Sequence, residues 1–257
     1  MVIHKLAVVA PSAELADDVE VGPFTVIGPQ VEIGAGTKIE SHVVIKGPTR
    51  IGRNNHVHQF ASLGDAPQDK SYRGEPTRLE VGDGNIIREY VTLNRGTASG
   101  NGITRLGDNN FMMAYSHLAH DCQVGNNTIF ANAASLAGHV TVDDWVIMGG
   151  FAIVHQFCRI GAHSFCALGS VVFKDVPPYA TVSGNPARPH GINAEGLKRR
   201  GFDASTIKTL RQAYKTLYKS KLPLAKALDG LHEMARECEA ITPLARFLED
   251  SRRSIVR

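Results

Sequence analysis

The feature that most constrains the fold is a six-residue repeat of apolar side chains. From Val9 to Leu63, every sixth residue is aliphatic, ten in succession. Chance produces such a run less than about once in a thousand trials in a chain of ordinary hydrophobic content. The register breaks, returns at Val81, Ile87 and Leu93, and breaks again. It then resumes as Leu106, Met112, Leu118, Val124, Phe130, Leu136, Val142, Met148, Val154, Ile160, Cys166 and Val172.

A period of six fits neither an α-helix nor an ordinary strand, but it fits a short strand followed by a sharp turn. Glycine often follows the apolar residue, as at Gly22, Gly52 and Gly125, where we expect it to relieve strain in the turn. The pattern resembles the hexapeptide repeat of the left-handed parallel β-helix, in which three units close one 18-residue coil. The predicted fold class is mainly β, a left-handed parallel β-helix followed by a small α-helical C-terminal domain.

The β-helix is predicted over residues 1–190. Loop inserts are expected near 64–80 and 95–105, where the register breaks in stretches rich in glycine, proline and polar residues. Inserts in a solenoid usually lie on one face, often the binding face.

Residues 191–257 are predicted to form the α-helical domain, and the segment PPYATVSGNPARPHG (177–191) before it is interpreted as a linker. Asp203 can cap a helix whose apolar positions recur at helical spacing, which is typical of a packed face. These positions are Ile207, Leu210, Ala213, Tyr214, Leu217 and Tyr218. Further helices are expected over 223–240 and 243–256.

Composition excludes several classes of function. A net charge of +3 and an aromatic content of 7% do not indicate a nucleic-acid-binding surface. No run of 18 apolar residues is present, so no integral membrane segment is predicted. The cysteines contain no CxxC pair, which favours a reduced, cytoplasmic location. They are Cys122, Cys158, Cys166 and Cys238.

Histidines cluster in the second run of the repeat. His120, Gly138 and Gln156 are spaced by 18 residues and therefore share one column of the predicted coil, with His139 beside it. We expect His117 to lie on a neighbouring part of the same surface. Histidine titrates near neutral pH and is a natural general base, so this surface is a candidate catalytic site.

Other interpretations of these histidines stay open. Each one alone is compatible with an ordinary surface position, and clustered histidines can ligate zinc. No cysteine pairs with His117 or His120 at a zinc-motif spacing, and no third ligand is obvious, so we predict no metal and no cofactor. Asp121 follows His120 and is a possible support for its tautomer, although adjacent side chains often face apart.

Several strings of residues carry a more specific resemblance. They are GEPTRLEVGD (74–83), AHDC (119–122), LAGHV (136–140), VHQFC (154–158), GNPA (184–187) and EGLKRRGF (195–202). In this order, from the first coils to the helical tail, they resemble the UDP-N-acetylglucosamine O-acyltransferase family of lipid A biosynthesis. Generic hexapeptide transferases share the repeat but not this ordered set. The resemblance implies a homotrimer with active sites between adjacent β-helices.

The resemblance also implies the reaction, which is transfer of a 3-hydroxyacyl chain from acyl carrier protein to the 3-position of a UDP-amino sugar. It implies that His120 is the general base and that the backbone amide of Gly138 stabilises the oxyanion. An alcohol is a poor nucleophile and a thioester an activated donor, so a base suits this chemistry.

Further residues match binding positions of the family. Asp69, His117, His139 and Gln156 match those that bind sugar or acyl chain, and Asn193, Glu195, Arg199 and Arg200 match those near the nucleotide and its phosphates. Guanidinium groups suit a diphosphate, although a solvated helix face would also explain the arginine pair. Basic side chains of the inserts can meet the acidic carrier protein, namely Lys70, Arg73, Arg78, Arg95 and Arg105.

Three residues bear on substrate choice. Ser71 stands where the family has lysine and Asn94 where it has histidine, which leaves open an N-acyltransferase acting on a UDP 3-amino sugar. Leu168 stands where glycine leaves the acyl groove open, so leucine favours a shorter chain, with packing in a turn as the alternative. From other classes, a zinc-dependent hydratase and an inactive scaffold paralogue remain alternatives. Retention of His120 and Gly138 argues against the scaffold.

Overall fold

A computed structural model describes residues 2–251 and 254–257. The six-residue repeat winds into a coil with three flat faces, each a parallel sheet, which we name sheets A, B and C. The chain visits them in that order in every coil. The predicted left-handed parallel β-helix is confirmed.

The strands are short, as a six-residue unit requires. Sheet A contains Val2–Ile3, Glu20–Val21, Lys38–Ile39, His56–Val57, Ile86–Ile87, Phe111–Met112, Ile129–Phe130, Ile147–Met148, Phe165–Cys166, Ala180–Ser183 and Arg188–Ile192. Sheet B contains Val8–Val9, Val26–Ile27, Val44–Ile45, Ser62–Asp65, Thr92–Asn94, His117–Leu118, Ser135–Leu136, Ile153–Val154 and Val171–Val172. Sheet C contains Glu14–Leu15, Val31–Ile33, Thr49–Ile51, Arg78–Val81, Ile103–Leu106, Gln123–Val124, Thr141–Val142 and Arg159–Ile160.

The strand register shows the coil length and the places where the coil is interrupted. Val8 pairs with Val26, and Val26 with Val44, so each coil advances by the predicted spacing. Ser62 instead pairs with Thr92, and Thr92 with His117, because residues 66–77 and 95–102 leave the coil as loops. Both loops leave between a sheet B strand and a sheet C strand. They therefore lie at the same corner of the triangle, which we call the B–C corner.

The repeating apolar residues point inward and form the core of the β-helix. Leu118, Leu136 and Val154 stack on successive coils and are completely buried. Burying one such side chain contributes about 1.5–3 kcal/mol, so the stacked core stabilises strands that would be too short alone.

Most of the glycines that follow the inward residues, Gly22 and Gly34 among them, do not adopt the strained conformation that we expected for them, whereas Gly64 does, with a φ of +74°. At Gly22 and Gly34 the reason for glycine is close approach, since a Cβ would lie 2.8 Å and 2.7 Å from backbone atoms of the next coil. The left-handed conformation falls two residues later, often on non-glycine residues such as Phe24 and His42. We expected the strained conformation at the glycine position, and this expectation was wrong where the conformation occurs two residues later.

The predicted linker over 177–191 was also wrong. Ala180–Ser183 pairs in parallel with Phe165–Cys166 and antiparallel with Arg188–Ile192. The segment folds in this way because Ala180 and Val182 are buried and cover the open end of the core. Its proline and glycine residues turn the hairpin instead of marking a domain boundary.

The C-terminal part is helical, as predicted. It contains α1 (Ala194–Arg199), α2 (Ala204–Tyr218), α3 (Leu224–Glu237), a 3₁₀ turn (Glu239–Ile241) and α4 (Thr242–Glu249). The Asp203 side chain caps α2 by accepting from the Thr206 backbone N–H at 2.8 Å. The predicted apolar stripe of α2 packs in a second core with α3 and α4.

The helix expected over 243–256 is shorter. It ends at Glu249, and Arg252 and Arg253 lie outside the described residues. Val256 is buried in the core of the β-helix and Ile255 in the second, helical core, and the Val256 N–H donates to the Asp175 carbonyl at 2.9 Å. In the described parts of the chain, no helix has the length and apolarity to cross a membrane.

Candidate active site

The B–C corner carries the predicted catalytic histidine. His120 follows the sheet B strand His117–Leu118, and its Nδ1 lies 2.9 Å from Asp121 Oδ2. Because a carboxylate only accepts, Nδ1 carries the proton and donates it. Nε2 then presents its lone pair to the surroundings, which is the tautomer that a general base requires. Asp121 therefore contacts His120, and its role as a support for the base stays a prediction.

The Asp121 carboxylate is held from a second direction by the loop 95–102. The Thr97 hydroxyl donates to Oδ2 at 2.6 Å, and the Thr97 N–H lies 3.1 Å from both carboxylate oxygens. The Asp121 side chain is 2% exposed. A buried carboxylate is stable only when it accepts several hydrogen bonds, and the donors here come from Thr97 and His120.

The next coils complete the surroundings of His120. The His139 ring lies perpendicular to the His120 ring with centroids 5.1 Å apart, and it stacks on Phe157 at 4.4 Å. Burial lowers the pKa of His139, which favours its neutral form. A Cβ on Gly138 would lie 2.6 Å from His120 Cε1. Only glycine therefore lets the backbone at 138 approach the imidazole.

His117 and Asp69 flank the same corner. The His117 Nδ1 lies 2.7 Å from the Thr92 hydroxyl, and burial lowers the pKa of this imidazole. Asp69 lies in the loop 66–77. Hydrogen bonds from Ser71 lower the pKa of the Asp69 carboxyl, and the nearby charges of His120 and His139 lower it further. Gln156 lies on the coil after His139, beside Phe157.

The residues matched to the nucleotide lie elsewhere in one copy of the chain. The Asn193 amide donates to the His163 carbonyl, and its oxygen caps α1 by accepting from the Gly196 N–H at 3.1 Å. The Arg200 guanidinium lies 5.2 Å from the centre of the Trp145 ring.

His163 and Trp145 turn the corner between sheets C and A, which we call the C–A corner. Burial, and then Arg200, lower the pKa of His163 to about 4. Glu195 and Arg199 on α1 are exposed. Within one copy, the fold therefore does not bring these groups to His120.

Comparisons with known proteins agree with the resemblance found in the sequence. A family model described as Udp N-acetylglucosamine O-acyltransferase, Domain 2, matches residues 175–256. The acyl-[acyl-carrier-protein]–UDP-N-acetylglucosamine O-acyltransferase of Alkalilimnicola ehrlichii is 60% identical over 255 residues and that of Thiobacillus denitrificans 56%, with 99% of each chain covered. The solved structure of LpxA from Acinetobacter baumannii matches with a TM-score of 0.98 at 48% identity, covering 100% of both chains.

The chain belongs to the UDP-N-acetylglucosamine O-acyltransferase family.

The two residues that depart from the family pattern, Ser71 and Asn94, both make hydrogen bonds in the structure. Ser71 donates from its hydroxyl to Asp69 Oδ1 at 2.9 Å and from its N–H at 2.8 Å, so it orients the carboxylate. Asn94 is buried, and its amide donates to the Ala66 carbonyl at 2.9 Å. Asn94 therefore ties the loop 66–77 to the coil.

Leu168 lies at the third corner, between sheets A and B, and is 72% exposed. This A–B corner also carries a ladder of exposed aromatic rings, in which Phe60, Tyr90 and Tyr115 stack at about 5 Å between centroids. Leu168 lies at the same corner as this ladder, and its exposure leaves it available to line a groove.

The ligand atoms of His120, Asp121 and His139 all lie within 4.8 Å of one another, a spacing that a metal ion could also use. Thr97 and Phe157 were missed in the sequence. Phe157 follows His139 by one coil, so the 18-residue spacing could have identified it. Thr97 lies in an insert outside the repeat, and no periodic signal marks it.

Proposed function

We propose that this chain transfers a 3-hydroxyacyl group from acyl carrier protein to the 3-hydroxyl of UDP-N-acetylglucosamine, the first step of lipid A synthesis. The observation that carries the proposal is the hydrogen bond from His120 Nδ1 to the buried Asp121 carboxylate. It orients Nε2 as a base and stabilises the imidazolium that forms when the base takes a proton.

In the proposed step, His120 Nε2 removes the proton from the sugar hydroxyl as that oxygen attacks the thioester carbonyl carbon. The new C–O bond forms and the carbonyl oxygen becomes an oxyanion. Collapse of this intermediate breaks the C–S bond, and the thiol of the carrier protein leaves with the proton from His120.

Gly138 is proposed as the oxyanion donor through its backbone N–H. Its backbone approaches the imidazole closely, since a Cβ at position 138 would lie only 2.8 Å from His120 Nε2. An amide fixed beside the base can reach the oxygen on which charge develops, and such a donor typically contributes about 10²–10³-fold in rate.

We propose that the working enzyme is a homotrimer, because the three faces differ. The outer face of sheet C carries ion pairs such as Arg105–Glu80 and Arg50–Glu32. The outer faces of sheets A and B and the corner between them carry exposed apolar side chains, such as Ile86 and Ile153, and apolar surface of this kind marks association surfaces. Sheet A also carries an ion pair, Lys38–Glu20. At the A–B corner, Phe24, Phe60, Tyr90, Tyr115 and Phe151 are each at least 44% exposed.

A threefold axis beside the A–B corner would cover this surface and place sheet A of one copy opposite sheet B of the next. The B–C corner with His120 would then lie beside the C–A corner of a neighbour, with its Arg199 and Arg200. In this arrangement the base and the phosphate-binding groups come from different copies.

Acyl carrier protein would approach the loop side of this cleft. Lys70 and Arg73 are exposed there and suit an acidic partner. Arg78 and Arg105 are also exposed, but both are paired with Glu80. Arg95 does not suit such a partner, because its guanidinium donates to the Gly64 carbonyl and to the Tyr72 hydroxyl. The buried Cys122 and Cys166 form no disulfide, which suits a reducing, cytoplasmic location.

The experiment is a transfer assay offering 3-hydroxyacyl carrier proteins to UDP-N-acetylglucosamine and, separately, to its 3-amino analogue. We expect ester formation by the wild type, a loss of about 10²–10⁴-fold in His120→Ala, and wild-type rates in His4→Ala, a control on the first coil. Product from the amino analogue alone would instead establish an N-acyltransferase. Full activity in His120→Ala would contradict the assigned base.

A further inference from the structure

A second cluster of metal-ligating side chains lies on the outer face of sheet A, away from the B–C corner. Glu40, His56 and His58 offer ligand atoms that all lie within 4.8 Å of one another. The fold explains the juxtaposition. His56 and His58 flank the inward-pointing Val57 and both face outward, while the coil spacing places Glu40 beside His58 on the preceding coil.

The cluster is already close to the geometry of a metal site. His56 Nε2 lies 2.8 Å from Glu40 Oε1, and the two imidazole rings stack with centroids 4.1 Å apart. Ligand atoms around tetrahedral zinc lie about 3.4 Å apart, so these side chains would form the site by rotating until the lone pairs of the two stacked imidazoles converge. Glu89 stands at the edge of the cluster, with Oε1 3.9 Å from His58 Nδ1.

The charges around the cluster also suit a cation. Two carboxylates face the imidazoles, Glu40 at 2.8 Å from His56 Nε2 and Glu89 at 3.9 Å from His58 Nδ1. The Arg88 guanidinium is paired with Glu89, to which it donates at 2.8 Å.

We propose that Glu40, His56 and His58 form a binding site for a divalent metal ion of the zinc class. Two imidazoles and one carboxylate are a typical protein donor set for zinc, with the fourth position open to water or another donor. In the proposed trimer this face lies opposite sheet B of the next copy, so the ion would sit between copies. The site is independent of the acyl-transfer chemistry at His120.

The test is a zinc titration of the chelator-stripped, full-length protein against a competing chromophoric chelator, with bound zinc counted by elemental analysis. We expect one zinc ion per chain at this site. Removing a direct ligand by His56→Gln or His58→Gln should weaken binding by about 100-fold or more. His232→Gln is the matched control, because His232 also pairs with a glutamate, Glu249, but has no second histidine beside it. Its affinity should equal that of the wild type.

A second comparison separates this site from the B–C corner, where His120, Asp121 and His139 form the other possible donor set. Zinc binding should survive His139→Gln and disappear in the His56→Gln/His58→Gln double variant, while that double variant keeps acyl-transfer activity and hence its fold. Zinc lost in His139→Gln but kept in the double variant would overturn the proposal. Absence of stoichiometric zinc in the wild type would overturn it as well.

Discussion

At the scale of single residues, Asp121 connects His120, the proposed general base, to the loop 95–102. Its buried carboxylate accepts from His120 on one side and from Thr97 on the other. Because both donors converge on Oδ2, the position of the loop and the orientation of the imidazole are linked. Thr97 is therefore a positioning residue, although it need not contact substrate.

Thr97→Val keeps the shape of the side chain and removes the hydroxyl. A hydrogen bond to a charged group is worth about 1.5–3 kcal/mol, so we expect kcat to fall about 10- to 100-fold. KM for the sugar should stay unchanged, and Thr97→Ser should restore kcat. Steady-state kinetics of the three proteins check this.

Ser99→Ala is the control for the loop. Ser99 lies in the same loop with its hydroxyl 3.1 Å from that of Thr97, but it is not a partner of the Asp121 carboxylate. It should retain wild-type kcat. A Thr97→Val enzyme with normal kcat would show that Asp121 orients His120 without help from the loop.

Leu168→Gly should lengthen the acyl chain that the enzyme prefers. Leu168 is exposed at the A–B corner, so removing its side chain leaves no cavity in the core. Each added methylene in a fitted groove is worth about 1–3 kcal/mol, so the ratio of kcat/KM between donors two carbons apart should change at least about tenfold. Leu222→Gly, also an exposed leucine, should leave the preference unchanged. An unaltered preference in Leu168→Gly would assign the residue to turn packing alone.

At the scale of elements, successive coils approach so closely that some positions admit only glycine. In Gly22→Ala the added Cβ would lie 2.8 Å from the Glu40 carbonyl carbon, and backbone cannot move aside easily. We expect a loss of about 1–3 kcal/mol in the free energy of unfolding, measured by denaturant titration.

Gly230→Ala should have the opposite effect. Gly230 lies inside α3, and its added Cβ would meet only Thr216 Cγ2 at an ordinary 3.6 Å. Alanine is favoured over glycine in a helix interior by about 1 kcal/mol, so α3 should become more stable. Destabilisation by this substitution, or none by Gly22→Ala, would contradict the packing described for the two elements.

Much of the fold could be predicted because the six-residue repeat marks the residues that point into the core. Inward residues such as Leu118 and Leu136 recur at a fixed spacing, and each is buried as expected. The hairpin over 180–192 could not be predicted in this way, because Val182 lies outside the repeat and the segment contains Gly184 and Pro186, which favour turns. Its burial depends on the open end of the core, which is a property of the assembled coil.

The part of the candidate site that lies on the coil could be predicted from the repeat, and the part that lies in the loop 95–102 could not. His120, Gly138 and His139 share neighbouring columns, and the structure brings them together. Thr97 reaches Asp121 across 24 residues through a loop that has no repeat. Only the folded chain shows this contact.

At the scale of the whole molecule, the proposed base and the proposed phosphate-binding arginines lie at different corners of the coil. His120 lies at the B–C corner, while Arg200 packs on Trp145 at the C–A corner. These two corners are joined by sheet C, whose outer face carries ion pairs and remains exposed in the proposed trimer. The central claim is therefore that one working site uses the B–C corner of one copy and the C–A corner of its neighbour.

The most direct test of this claim is to co-express His120→Ala copies with Arg199→Ala copies and measure acyl transfer by the purified mixed trimers. Each variant alone should be nearly inactive at low sugar concentration. Random mixing gives about one quarter of the sites both an intact base and an intact arginine, so the mixture should recover about a quarter of wild-type activity. A mixture no more active than the two separate variants would contradict the account and place the whole site within one copy.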